Sequence, residues 1–176
     1  GTLASMGFTE IKVYKQPVVG IISTGDELVP AGGMLEPGKI RDVNTPMLAA
    51  LLQQAGAIAR LHEIVPDQRE LLSDAIQNTL TAADVLLVSG STSVGEKDNL
   101  PILIEELGQI FVHGIAIKPG KPTIIGQIEG KPVFGLPGNP VAAFFMFQAL
   151  VKPLLAMLSN SKNEQINVEA RLTRAV

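Results

Sequence analysis

The sequence predicts an α/β fold built on a mostly parallel sheet with helices on both faces. Three observations carry that prediction. Val18-Val19-Gly20-Ile21-Ile22 and Val85-Leu86-Leu87-Val88 are continuous apolar runs, the pattern of strands buried on both sides. Helical patterns of about 10–15 residues alternate with such runs, as crossover connections between parallel strands require. Apolar residues make up 46% of the 176, and charged residues 18% against roughly 25% in an average chain. That balance describes a filled core and excludes a disordered polar chain.

The elements follow in order. Leu3-Ala4-Ser5-Met6-Gly7 reads as a helix tail stopped by a glycine. Gln16-Pro17 leads into the first strand. Pro46 suits the first turn of a helix running through Ala55 and closed by Gly56. Residues 58–65 form a second strand candidate. Asp67 with Glu70 three residues on is a capping-box-like start for a helix using Leu71, Leu72, Ala75, Ile76 and Leu80. Residues 85–88 are the third strand. A helix over 99–107 ends at Gly108, and residues 110–117 return as a strand. Residues 123–128 and 131–135 flank Glu129-Gly130 as a hairpin. Asn139 caps a last helix over 140–158, with a kink expected at Pro153.

Beyond that helix, residues 159–165 are polar, and Ile166, Val168, Ala170 and Leu172 alternate with polar residues like a half-buried strand. The expected organisation is a lead-in from a preceding domain over 1–16, one domain over 17–158, and a linker with the first strand of a truncated C-terminal domain over 159–176.

Composition narrows the chemistry. With no cysteine, disulfides, thiolate metal sites and cysteine nucleophiles are excluded. His62 and His113 both fall in strand patterns and read as structural or surface residues, which argues against a multi-histidine zinc site. A net charge of −3 provides no basic field for nucleic acid. The longest uncharged stretch, residues 132–151, is interrupted by Gly135, Pro137, Gly138, Asn139 and Pro140. What remains is too short to cross ~30 Å of hydrocarbon and reads as a core helix, so no membrane partner is expected. No charged-then-apolar leader is seen, and the expected compartment is the cytoplasm. No G-x-G-x-x-G occurs. The P-loop-like run from Gly114 to Pro122 is one residue too long and has Pro122 where Ser or Thr is needed.

Ligands of such folds bind beyond the carboxyl ends of the strands, and there the scarce charges collect. The loops are Ser23-Thr24-Gly25-Asp26-Glu27, Pro66-Asp67, residues 89–98, Lys118-Pro119-Gly120-Lys121-Pro122 and Leu136-Pro137-Gly138-Asn139-Pro140. Small residues from Gly90 to Gly95 expose backbone N–H groups to an oxyanion. Lys118 and Lys121 add compensating charge, and carboxylates from separate loops suit Mg²⁺ beside a phosphate. The residues therefore read as Mg²⁺-assisted chemistry on a phosphorylated ligand. Each has a plainer alternative. Asp67, Asp98 and Asn139 could be helix caps, Asp26 and Glu27 solvated turn residues, and the two lysines simply exposed.

Ser23-Thr24-Gly25-Asp26-Glu27-Leu28-Val29, Ser93-Val94-Gly95-Glu96 with Asp98, Lys118-Pro119-Gly120-Lys121-Pro122 and Leu136-Pro137-Gly138-Asn139-Pro140 stand in a familiar order and spacing. Together they resemble the molybdopterin-binding domain of MoeA-type molybdopterin molybdenumtransferases, and the related C-terminal region of gephyrin. The resemblance covers nearly the whole chain. It implies a three-layer α/β/α, MoeA/MogA-like fold in a multidomain, usually dimeric, cytoplasmic enzyme. Such enzymes insert molybdate into adenylylated molybdopterin with Mg²⁺ and release AMP. Carried over by position, Glu27, Asp67, Asp98 and Lys118 are the catalytic candidates, with Asp67 and Asp98 on the metal. Thr24, Gly25, Asp26, Gly90, Ser91, Thr92, Ser93, Gly95, Glu96, Lys121, Pro137, Gly138 and Asn139 are the binding candidates. The chain has Ser91 where the family commonly has a second glycine, and Gly114 where it often has Lys or Arg. Two other functions fit such a fold. One is a molybdopterin adenylyltransferase using ATP, which is also a possible partner of the enzyme; the other is a non-catalytic molybdopterin-binding scaffold.

Overall fold

A computed structural model describes residues 1–90 and 99–161. Along the chain, α1 (Thr2–Ser5) precedes β1 (Val18–Ser23), and a small ribbon of β2 (Leu28–Val29) and β3 (Ile40–Arg41) precedes α2 (Asn44–Gln54). Then come β4 (Ile58–Leu61), α3 (Arg69–Leu80), β5 (Val85–Ser89), α4 (Asn99–Leu107) and β6 (Gly108–His113). β7 (Ile124–Ile128) and β8 (Lys131–Leu136) form the hairpin, and the last helix is α5 (Pro140–Met146), a π-helical turn (Phe147–Val151) and α6 (Lys152–Leu158). Residues 1–16 are all exposed, Phe8, Ile11, Val13 and Tyr14 included.

The main sheet has the order β4-β1-β5-β8-β7-β6. β4, β1, β5 and β8 are mutually parallel, and β7 and β6 continue antiparallel. Side chains alternate across it, since successive strand residues face opposite ways. Val19, Ile21, Val85, Leu87 and Leu136 pack with Leu48, Leu52, Ala143, Met146 and Phe147 of α2, α5 and the π-turn. Ile22, Leu86, Val88 and Val133 pack with Leu72, Ile76, Leu80, Leu100 and Leu103 of α3 and α4. Both faces are covered, which gives the three-layer α/β/α arrangement.

Four local expectations are corrected. β4 ends at Leu61, and only Val65 rejoins the sheet, as an isolated bridge to Thr24; between them the imidazole of His62 turns to the Glu63 carbonyl. α3 begins at Arg69 with Gln68 at its N-cap and no side-chain cap, because the Asp67 carboxylate is engaged elsewhere. β6 stops at His113, since the Gly114 and Ile115 amides donate across a closing loop to Thr123 and Lys121. The last helix widens into the π-turn just before Pro153, where no amide hydrogen is available to keep the α pattern.

The span Pro140–Leu158 is long and apolar enough to cross a membrane by length and composition. Its sheet-facing side (Ala142, Ala143, Met146, Phe147, Val151, Leu155) lies in the core, whereas Val141, Phe145 and Met157 are exposed. The expected strand from Ile166 to Leu172 lies outside the described residues.

Candidate functional site

The site grows from the carboxyl end of β1. Thr24 is buried, and its hydroxyl donates to Asp67 Oδ1 at 2.7 Å. The Asp67 amide donates to Asp26 Oδ1 at 3.1 Å, and the Gly25 amide to the Val65 carbonyl at 3.2 Å. The loops after β1 and β4 are thus cross-bonded, and the Asp67 carboxylate faces them instead of capping α3. Asn99, opening α4, reaches the Asp67 carbonyl at 3.4 Å.

β5 enters the same cluster through backbone. Thr24 N–H donates to the Ser89 carbonyl at 2.9 Å. Gly90 has φ +113°, and a Cβ there would lie 2.1 Å from the Thr24 carbonyl oxygen. Only glycine allows that approach. A Cβ on Gly138 would stand 3.6 Å from the Gly90 Cα, so three strand-end loops meet at these residues.

The N-terminus of α2 ties them together, and these residues were not singled out by the sequence reading. Asp42 Oδ1 accepts from the amides of Asn44 (3.0 Å) and Thr45 (3.1 Å) and so caps the first turn of α2. Thr45 Oγ1 pairs with Ser23 Oγ at 2.9 Å. Asn44 Nδ2 donates to Ser89 Oγ at 2.7 Å and to the Gly138 carbonyl at 2.9 Å. The Gly138 carbonyl can only accept, which fixes the amide nitrogen on that side. Asn44 is 6% exposed, and its Oδ1 is buried without a hydrogen-bond partner among the described residues. An unpaired buried acceptor costs roughly 1–3 kcal/mol, about what two neutral hydrogen bonds return at roughly 0.5–1.5 kcal/mol each. The available sequence signal was Asp42-Val43-Asn44-Thr45-Pro46, a capping acid ahead of a first-turn proline.

A cavity of about 900 Å³ opens beside this cluster, with Asp26, Lys39, Asp42, Thr45, His62 and Glu63 among its lining. Lys39 Nζ donates to the Asp26 carbonyl at 2.6 Å. Glu27 is exposed, and its carboxylate lies over Gly25, where a Cβ would be 2.8 Å from Oε2. Lys118 and Lys121 are exposed and line a different cavity, of about 700 Å³, with residues 113–117. Their turn is fixed by Ile115 N–H donating to the Lys121 carbonyl at 2.9 Å. It is also packed on α5, where a Cβ on Gly120 would be 2.6 Å from Met146 Sδ.

Asn139 is seen as a cap: its Oδ1 accepts from the amides of Val141 (3.0 Å) and Ala142 (3.1 Å). Pro137 is buried beside it. The structure thus brings together Thr24, Gly25, Asp26, Asp67, Gly90 and Gly138, while the two lysines line a cavity of their own. Ser91, Thr92, Ser93, Gly95, Glu96 and Asp98 lie outside the described residues. At the start of α3, exposed Arg69 pairs with Glu106 of α4, which raises the pKa of the guanidinium.

Among the described residues no group of three or more His, Asp or Glu side chains could hold a metal ion. The donor chemistry nevertheless fits Mg²⁺, which needs only one or two carboxylates with water and phosphate oxygens. Thr24 engages one oxygen of Asp67, and Oδ2 has no hydrogen bond to a described residue.

The chain is 41% identical over 160 residues to the molybdopterin molybdenumtransferase of Haemophilus influenzae, covering 91% of this chain and 40% of that protein. It is 36% identical over 174 residues to the Bacillus subtilis protein of the same name, covering 98% of this chain and 40% of that one. The solved molybdopterin biosynthesis MoeA protein from Pyrococcus horikosii superposes with a TM-score of 0.81 at 42% identity, over 90% of this chain and 39% of that chain. The chain therefore spans about two fifths of the length of these relatives. Residues 20–157 match the family described as "Probable molybdopterin binding domain", and the chain belongs to that molybdopterin-binding domain family.

Proposed function

We propose that the protein containing this chain inserts molybdate into adenylylated molybdopterin and releases AMP, as part of molybdenum cofactor biosynthesis. The observation that carries the reading is the meeting of Thr24, Asp26, Asp67, Gly90 and Gly138 at the ends of parallel strands, in a chain of this family. Asp67, with Asp98, would hold Mg²⁺, which when bound supplies positive charge beside the phosphate. Thr24 fixes the Asp67 carboxylate, Glu27 is the free acid of the same loop, and Asp26 fixes the Asp67 backbone. Gly90, with Ser91, Thr92, Ser93, Gly95 and Glu96, contacts the phosphate. Lys118 and Lys121 attract the anionic end of the ligand or molybdate. Pro137, Gly138 and Asn139 shape the remaining wall.

The proposal extends to organisation. Residues 1–16 lead in from a preceding domain, residues 17–158 form the ligand domain, and residues 159–176 begin the next. The enzyme is a cytoplasmic homodimer that receives its substrate from the adenylyltransferase. The test is turnover of the full-length protein with adenylylated molybdopterin, molybdate and Mg²⁺. AMP released in step with cofactor formed is the expected result. A requirement for ATP and unmodified molybdopterin would assign the adenylyltransferase reaction instead, and binding without turnover would assign a scaffold.

A further inference from the structure

We propose that Asn44 is a positioning residue: it sets the Gly138 turn against the end of β5 and so shapes the molybdopterin site. This rests on the functional reading above. Asn44 sits at the N-terminus of α2, where its backbone amide is capped by Asp42, yet its side-chain amide serves neither that helix nor its own loop. Both of its N–H groups cross to other strand ends, to Ser89 Oγ at 2.7 Å and the Gly138 carbonyl at 2.9 Å. These contacts span 45 and 94 residues of sequence. Beside them, Gly138 packs against Gly90, and Gly90 against the Thr24 carbonyl. Thr24 in turn holds Asp67. One side chain therefore fixes the spacing of the loops after β5 and β8, next to the loop that carries the functional acid.

The energetic balance points the same way. Two donated hydrogen bonds are offset in part by the buried Oδ1, which has no partner among the described residues, so the net contribution of the side chain to stability is modest. Geometry is what only the amide supplies, because a forked donor pair joins a hydroxyl to a carbonyl acceptor.

The test compares wild type with Asn44→Leu, Asn44→Asp and Ser89→Ala. Molybdopterin affinity is measured by calorimetry, Tm by thermal melting, and amide exchange at Gly138 and Asn139 in the free protein. Asn44→Leu is expected to weaken molybdopterin binding by roughly tenfold or more. Its Tm is expected to fall by a few degrees, because Ser89 Oγ and the Gly138 carbonyl lose their donor, while exchange at the Gly138 turn accelerates. Asn44→Asp regains affinity relative to wild type as pH falls, because a protonated carboxyl restores one O–H donor. Ser89→Ala, which removes one of the two bonds, shows the same effects in smaller measure and keeps the test intact should Asn44→Leu not fold. Wild-type affinity and exchange in the variants overturn the proposal. So does a loss of affinity that merely follows a loss of stability. Absence of binding by wild type, with accelerated exchange in Asn44→Leu, instead counts against the molybdopterin reading and leaves the positioning role standing.

Discussion

Thr24 and Asp67, 43 residues apart, are joined by a 2.7 Å hydrogen bond from hydroxyl to carboxylate. It holds the Asp67 side chain over the strand ends and away from the N-terminus of α3. The capping alternative predicts that Asp67 matters for stability, whereas this geometry predicts that it matters for chemistry. Asn at this position keeps an oxygen for Thr24 but removes the charge. Asp67→Asn in the full-length protein should therefore lower turnover by at least about a hundredfold, since charge stabilisation at a reacting centre is worth several kcal/mol. Its Tm should fall by no more than about 2 °C. A large Tm loss with normal turnover would reinstate the cap.

The Thr24 hydroxyl can be tested apart from its methyl group. Thr24→Val keeps the buried shape and leaves Asp67 Oδ1 without its donor, at a cost of about 1 kcal/mol in urea unfolding. Thr24→Ser keeps the donor and loses a methyl. Magnesium-dependent turnover should drop in the valine variant and survive in the serine variant. Equal activity in the two would mean that the hydroxyl only fills space.

Gly90 has a different physical basis. Alanine there would need φ near +113° and a Cβ 2.1 Å from the Thr24 carbonyl oxygen. The backbone must move, and it moves the loop that holds Asp67. Gly90→Ala should destabilise by roughly 2–3 kcal/mol, the combined scale of backbone strain and a steric clash, read as a lower urea midpoint. An unchanged midpoint would show that β1 and β5 can separate freely at their ends.

How much of this was legible in the sequence depends on the range of the interaction. β1 and β5 were readable because strands buried on both faces are apolar at every position, and the Glu129-Gly130 turn announced the hairpin. Asn139 was readable as a cap because its partners, Val141 and Ala142, are two and three residues away. The β2–β3 ribbon was not readable, since two-residue strands have no periodicity and exist through bonds such as Ile40 N–H to the Glu27 carbonyl. Asp42, Asn44 and Thr45 were missed for the same reason: only the fold brings Ser23, Ser89 and Gly138 to them. Asp67 was read with two roles, helix cap and metal ligand; α3 has no side-chain cap, and the Asp67 carboxylate is bonded instead to Thr24, 43 residues away.

The Asn139 cap offers a prediction about the largest helical span. Its Oδ1 accepts from two amides in the first turn of α5, whose inner residues Ala142, Ala143 and Met146 are in the core. Asn139→Ala should cost about 1 kcal/mol, and Asn139→Asp should restore most of it, because a carboxylate accepts the same amides. If alanine is neutral in urea unfolding, Pro140 alone sets the start of the helix.

The lysine turn gives the last test. Lys118 and Lys121 line a cavity separate from the one that Asp26 enters. Each lysine, changed to alanine, should weaken molybdopterin binding, and raising the salt should narrow the gap to wild type, because exposed charges are screened over about 10 Å at 0.1 M. The two cavities also make a claim about coupling. Asp26, which bonds the Asp67 amide, lines one cavity and Lys118 the other, and Lys118 and Asp67 have no hydrogen-bond partner in common among the described residues. Changes without shared partners add within roughly 0.5 kcal/mol, so Lys118→Ala and Asp67→Asn should be additive in molybdopterin affinity. A coupling energy clearly above that limit would mean that the bound ligand draws the lysine turn onto the Asp67 loop, and that the two cavities close into one.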